Sequence, residues 1–313
     1  MSGVGAWIRL ARPFTLLSPA VGMMSGSFVA LGSLRLQPGA GPVDLAASLP
    51  RIAAGAALAA LLNTASNAVN QIFDLEIDRV NKPDRPLPAG EMTRGEAWLV
   101  AALAAAAALA VAWALNPVTF VIVAFTALVV YAYSGPPFRT KRFWWAANPT
   151  IALPRGTLVF VAGWTAVDGD ARLHSILLRV LGLMFGLFIL GAATTKDYAD
   201  IPGDRAQGCM TLPIRFGVKR SVWITAPFFV LPWFLLPLGA FAHWRIDGTM
   251  PPDRVFHASL GVALALWGAY IVRLLLRDPD SLTSAKTHPS WVHMYLLLVA
   301  AQVGVAAGFW LPR

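Results

Sequence analysis

Asn63, Asn67, Asn70, Asp74 and Asp78 stand 4, 3, 4 and 4 positions apart. That spacing puts all five on one face of a helix. The stripe climbs an otherwise apolar stretch, where three amides and two carboxylates are costly unless they face a cavity or a ligand. A second run reads Lys196-Asp-Tyr-Ala-Asp-Ile-Pro-Gly-Asp-Arg205. Asp197 and Asp200 share a face, and Pro202-Gly203 is expected to turn the chain and bring Asp204 round. Each run closes an apolar segment, so its carboxylates fall near the C-terminal end of a helix, where the macrodipole is negative. Acids placed there need a cation. Mg2+ suits an all-oxygen set, because it keeps several waters and is shared between a few carboxylates and substrate phosphates. Lys82, Arg85, Lys196 and Arg205 lie among the acids, as a diphosphate bound to that metal would require. Six of the 16 acidic residues fall in these two runs. Solvated helix ends would explain one run, but not two on corresponding segments with an amide stripe beside them. Glu76 lies off the Asp face and reads as a loop-facing charge.

The elements that must position these residues follow from composition. Of 313 residues, 57% are hydrophobic and 13% charged, against about 25% charged in a soluble domain. Mean hydropathy is +0.61. A bilayer is the solvent that suits such a chain, and disorder is excluded. One cysteine, Cys209, excludes a disulfide framework and a Cys-based zinc site.

Nine apolar stretches are long enough to cross or nearly cross the hydrocarbon: 14–34, 51–74, 95–115, 118–134, 144–166, 175–196, 220–242, 255–276 and 291–311. All must be helical, which makes the chain an all-α polytopic membrane protein. The first is too long for a cleaved signal and has no clean small-residue cleavage site after it. Of 25 Lys and Arg, 17 fall on the N-terminal side of this topology and seven on the other, with Arg155 inside a span. That bias puts the N-terminus and both acidic runs in the cytoplasm. The two long polar connections, 79–94 and 197–219, lie on that side and carry the motifs.

The pattern NxxxDxxxD at Asn70, Asp74 and Asp78, paired with DxxDxxxD at Asp197, Asp200 and Asp204, resembles the UbiA superfamily of intramembrane prenyltransferases. Arg12-Pro13, Tyr133-Ser134-Gly-Pro136-Pro137 with Lys141, and Arg155-Gly156 also look like family features. The resemblance covers nearly the whole chain, as one domain over residues 1–313. It implies nine helices around a central cavity, with the acidic motifs facing each other under a cytoplasmic cap. It implies two Mg2+ ions, with Asp74, Asp78, Asp197 and Asp200 as the principal ligands and Asn70 and Asp204 as outer or partial ones. Lys82, Arg85, Lys141 and Arg205 would bind the diphosphate, with Lys196 or Tyr133 assisting. Asn63 and Asn67 would continue the polar stripe of the cavity.

The implied reaction is alkylation of a lipophilic acceptor by an isoprenyl diphosphate, with loss of diphosphate. Metal and cations neutralise the leaving group, and an apolar aromatic cavity shelters the carbocation. The segment Asp78–Pro86 is similar to a branch holding ether-lipid geranylgeranyltransferases, homogentisate prenyltransferases and chlorophyll synthases. The second motif with Leu212-Pro213 is closest to the ether-lipid type, which points to a C20-class donor. The acceptor stays open between a glycerol-phosphate lipid and an aromatic or quinol ring. A terpene cyclase would carry the same metal site. A cation-coupled transporter would place its acids near the midplane instead. No nucleic-acid partner is expected. The five histidines, His174, His243, His257, His288 and His293, are scattered and read as structural. Gly22 with Gly26, and Gly182 with Gly186, read as helix-packing surfaces.

Overall fold

The computed structural model describes residues 3–37, 41–169, 175–241, 253–284 and 288–311. Arg172, His174, His243, Arg245, Lys286, Arg313 and the last residue of the 220–242 span lie outside the described residues. Among the described residues every named element is a helix, since hydrocarbon offers no partner for a free peptide group. In chain order these are α1 (Val4–Ala11), α2 (Pro13–Arg35), α3 (Leu45–Phe73), α4 (Leu75–Asn81), α5 (Arg94–Leu115), α6 (Pro117–Ser134) and α7 (Trp144–Val167). They are followed by α8 (Ile176–Ala206), α9 (Leu212–Phe216), α10 (Val218–Ala240), α11 (Arg254–Arg277), α12 (Ser281–Ser284) and α13 (Pro289–Gly308). Nine of them, α2, α3, α5, α6, α7, α8, α10, α11 and α13, are long and apolar enough to cross a bilayer.

The expected spans are all present, with two differences that matter. The stripe on α3 does not continue as one helix, because α3 stops at Phe73 and Asp74 takes non-helical angles (φ −100°, ψ 12°) before α4 restarts. The second motif differs in the opposite sense. Pro202-Gly203 makes no turn, and α8 continues through it to Ala206. Successive turns of that helix therefore bring Asp197, Asp200 and Asp204 to one side. A tight 3-10 stretch, Ala193–Lys196, precedes them, so Asp197 and Asp200 occupy the first turn of the restarted helix rather than its end. The macrodipole argument made from sequence thus fails for the second motif.

Small residues set the helix spacing. A Cβ on Gly163 of α7 would overlap the Met23 carbonyl, and one on Gly26 of α2 would overlap the Phe160 carbonyl. The two backbones touch, as the pairing of small residues in membrane helices allows. On α8, a Cβ on Gly186 would stand 2.3 Å from the Thr157 hydroxyl of α7, while one on Gly182 would make only ordinary contact with the same side chain. The main core joins α7, α8 and α10 through Phe160, Phe185, Phe188, Phe229 and Trp233. Phe188 and Trp233 lie with ring centroids 5.1 Å apart. Packing around the acidic end completes the frame: α4 lies against the last turns of α8, and those turns lie against α12.

Gly163→Leu forces α2 and α7 apart. Overpacking of this kind costs about 1–3 kcal/mol, so the variant should melt measurably below wild type in detergent, with Gly169→Ala, away from the crossing, as the control.

Candidate active site

Two acidic motifs 120 residues apart in sequence meet through Asn81. Its Nδ2 donates to the Asp200 carbonyl at 2.8 Å, and its Oδ1 accepts from the Gly203 N–H at 2.9 Å. A Cβ on Gly203 would stand 2.6 Å from that amide, so glycine is what lets α4 come this close. Pro202, which looked like a turn signal, instead lies one residue from this docking point. Asn81 has no role in the sequence reading, which takes in only the segment Asp78–Pro86 around it. Its signal was only that it follows the Asp stripe at the start of the polar connection.

The carboxylates and cations pair across these elements. Asp74 accepts from Asn70 Nδ2 at 2.6 Å and forms an ion pair with buried Lys141. Arg139 stands 3.9 Å from the same carboxylate. Asp78 accepts both of its bonds from Arg85, at 2.5 and 2.7 Å. Asp200 pairs with Lys82, which ties the two motifs a second time. Lys196 donates to the Tyr133 hydroxyl at 2.7 Å and lies over its ring. Burial pushes the Asp78 carboxyl up and the Lys82 ammonium down, each against the pull of its own partner.

These groups line one cavity of about 250 Å3, together with the apolar walls Phe188, Ile189, Trp291, Met294, Tyr295 and Leu298. Asn67, Asn70, Asp74, Asp78, Lys82, Arg85, Tyr133, Lys141, Lys196, Asp197, Asp200 and Asp204 all face it. Arg205 does not. It is exposed and absent from the lining, because an unbroken helix turns it about 100° from Asp204. Its expected role as a diphosphate ligand is corrected on that ground.

The amide stripe also holds the backbone, although Asn67 lines the main cavity too. Asn63 and Asn67 donate to the Thr15 side chain, and Asn63 and Asn67 further reach the carbonyls of Thr15 and Ala11. Gln71 reaches the Leu10 carbonyl at 3.1 Å. Arg12 sits between α1 and α2 in left-handed conformation (φ 56°) and Pro13 has no N–H. The bend frees carbonyls, and the three amides satisfy them. Asn63 lines a second, smaller cavity rather than the main one.

Several residues of the cavity have no role in the sequence reading, among them Arg12, Arg155, Thr211, His288 and Leu282. Arg12 and Arg155 add cations. Burial, then Arg85 and Arg155 nearby, pull the Arg12 guanidinium down to about 10. Thr211 offers a buried hydroxyl without a hydrogen-bond partner among the described residues. His288 caps α13 and bonds Ser290 at 2.7 Å, and Leu282 closes the wall. His293 contacts Trp267 and Tyr270, and Cys209 is buried. Glu76 pairs with Arg79 at the surface.

The donor set is chemically suited to a hard divalent cation. All five aspartates offer oxygen, and Asp197 and Asp204 form no ion pair among the described residues. The other three are neutralised by Lys82, Arg85 and Lys141. No three His, Cys, Asp or Glu of the described residues converge closely enough to form a ready-made metal cage.

The model of the UbiA prenyltransferase family matches residues 27–299. The chain belongs to that family. It is an integral membrane prenyltransferase, and its UbiA relatives are similar along most of their length. It is 31% identical over 284 residues to digeranylgeranylglyceryl phosphate synthase of Thermococcus kodakarensis, covering 89% of this chain and 90% of that one. It is 27% identical to the bacteriochlorophyll synthase 33 kDa chain of Cereibacter sphaeroides, covering 88% and 84%. The fold is that of a UbiA homologue from Archaeoglobus fulgidus solved with GPP and Mg2+, at TM-score 0.69, 20% identity and coverage of 96% and 99%.

Asn81→Ala removes the contact that holds the two UbiA motifs together. Prenyl-transfer rate should fall at least tenfold while the helical circular-dichroism signal is retained. A rate within twofold of wild type would show that the ion pairs alone hold the site.

Proposed function

We propose that the protein transfers a C20-class prenyl group, geranylgeranyl or a close relative, from its diphosphate to a lipophilic acceptor with the help of Mg2+. The observation that carries this reading is the single cavity in which five carboxylates and their cations meet apolar and aromatic walls. The carboxylates Asp74, Asp78, Asp197, Asp200 and Asp204, with Asn70, are the groups that would hold the metal. Bound there, Mg2+ supplies charge neutralisation to a diphosphate leaving group. Family membership and a fold neighbour solved with GPP and Mg2+ support the metal, and the similarity to digeranylgeranylglyceryl phosphate synthase supports the C20 class.

The chain's own residues have separable tasks in this reading. Lys82, Arg85 and Lys141 would exchange their carboxylate partners for phosphate oxygens, and the carboxylates so released are the groups that would hold the metal. Tyr133 and Lys196 lie beside them and assist. The allylic C–O bond breaks, diphosphate departs, and a new bond forms to an acceptor oxygen or ring carbon that releases one proton. Phe188, Trp291 and Tyr295 face the region where positive charge develops, and their ring faces favour a cation that water must not reach. The acidic end of the bundle lies in the cytoplasm, capped by α4, α12 and the last turns of α8; the excess of Lys and Arg on that side supports this orientation.

The decisive assay uses membranes carrying the protein, geranylgeranyl diphosphate and a panel of acceptors. Turnover should be lost in EDTA and restored by Mg2+. Asp74→Ala, Asp78→Ala, Asp197→Ala and Asp200→Ala should each abolish it, and full rates for two of them would refute the site. Cyclic hydrocarbon in place of prenylated acceptor would identify a cyclase.

The cations give a second comparison. Losing a charged hydrogen bond costs about 1.5–3 kcal/mol. Lys82→Gln, Arg85→Gln and Lys141→Gln should therefore lower kcat/KM for the donor about tenfold or more, while Arg205→Gln leaves it unchanged. Equal, small effects for all four would mean that these charges serve only topology.

A further inference from the structure

Arg155 lies inside a membrane-crossing helix, where α7 widens into a π turn over Leu153–Leu158. Such turns insert an extra residue into the helix and often occur at functional sites. This one is wedged in place, since a Cβ on Gly156 would stand 2.6 Å from Gly186 Cα of α8. The side chain of Arg155 lines the main cavity and also a second cavity of about 50 Å3 with Met23, Leu58, Val123 and Leu158 in its walls. With Pro19, Ser66, Val130 and Pro154 it forms the wall between the two.

Its charge is unmatched among the described residues. Asp74, Asp78 and Asp200 have Lys141, Arg85 and Lys82. Among the described residues no carboxylate pairs with Arg155, and its neighbours in the field include Arg12, a second cation of the same cavity. A guanidinium within a span is expensive unless it faces a partner. A planar fork of donors suits a phosphate or carboxylate in two-point contact. Depth separates Arg155 from the three cations that pair with the acids. It stands 11 residues into α7, about 16 Å along the axis from Trp144, whereas Lys82, Arg85 and Lys141 all lie outside the spans at the acidic end.

We propose that Arg155 binds an oxyanion carried by the acceptor, not the diphosphate of the donor, and so selects lipophilic acceptors that bear a phosphate or carboxylate. The inference rests on the prenyl-transfer reading above.

The test compares wild type, Arg155→Gln and Arg155→Lys in nanodiscs with geranylgeranyl diphosphate as donor. Three acceptor probes are used: geranylgeranylglyceryl phosphate, its dephosphorylated alcohol, and homogentisate. Binding of geranylgeranyl thiodiphosphate is measured separately by calorimetry, and a thermal melt checks that each variant is folded. Arg155→Gln should raise KM for the charged probe that wild type accepts at least tenfold. The Kd of the donor analogue should stay within twofold. Arg155→Lys should recover part of the acceptor affinity, having charge without the fork. Use of the glyceryl phosphate identifies a phosphate as the anion, and use of homogentisate a carboxylate. An unchanged acceptor KM, or a donor-analogue Kd that weakens as much as the acceptor KM, overturns the proposal. So does a wild type that uses the neutral alcohol as well as the phosphate. A wild type that releases no diphosphate with any probe would instead overturn the prenyl-transfer reading itself, and this inference with it.

Discussion

Charge inside a bundle of membrane helices has to be matched, because hydrocarbon leaves an unpaired ion without solvent. In this protein two of the three matches in the cavity run between distant segments. Lys141, from the connection after α6, neutralises Asp74 at the end of α3. Lys82, just past α4, neutralises Asp200 in α8. Arg85 folds back onto Asp78. Breaking one such buried pair costs about 3–5 kcal/mol, a large part of the roughly 5–15 kcal/mol that holds a native protein together. The acidic end is therefore held closed by the same groups that a metal and a diphosphate would recruit. Site and scaffold share one set of charges, and a ligand of matching charge can take over these partners without leaving any of them bare.

Departures from regular helix geometry gather around this cavity. Arg12 has a left-handed backbone, Asp74 interrupts a helix, residues 153–158 form a π turn and residues 193–196 a 3-10 turn. A regular helix presents each side chain at a fixed angle, so aiming several at one point from different directions requires such interruptions. Each interruption frees backbone groups, and the surroundings answer them. Asn63, Asn67 and Gln71 satisfy the carbonyls around the Arg12 bend. Asn70 lies on the same stripe but turns to Asp74 and Ser134. One stripe thus divides into a structural part and a cavity part.

Much of the architecture was legible in the sequence. Nine apolar runs of sufficient length can become nothing but helices in a bilayer, and the acids of the two motifs do line one cavity, although the helix that was to carry Asp74 and Asp78 together breaks at Asp74. Long-range facts were less legible. Pro202-Gly203 has the composition of a turn yet continues a helix, because its function is to admit Asn81 at close range. Local propensity carries no information about a partner 120 residues away. Arg205 was placed in the site by proximity in sequence, and the helical phase that removes it depends on that same unbroken Pro202.

What the chain determined by itself was the class of element, the number of crossings, and the chemistry of two motifs, since apolar length and residue type are local properties. What only the tertiary structure decided was which side chains meet. The contacts of Asn81, the division of the amide stripe, and the placing of Arg12, Arg155, Trp291 and Tyr295 around the acids all depend on distances between helices. Those distances are set by glycines such as Gly26 and Gly163, which permit backbone contact, and by charges that must find their opposites away from water.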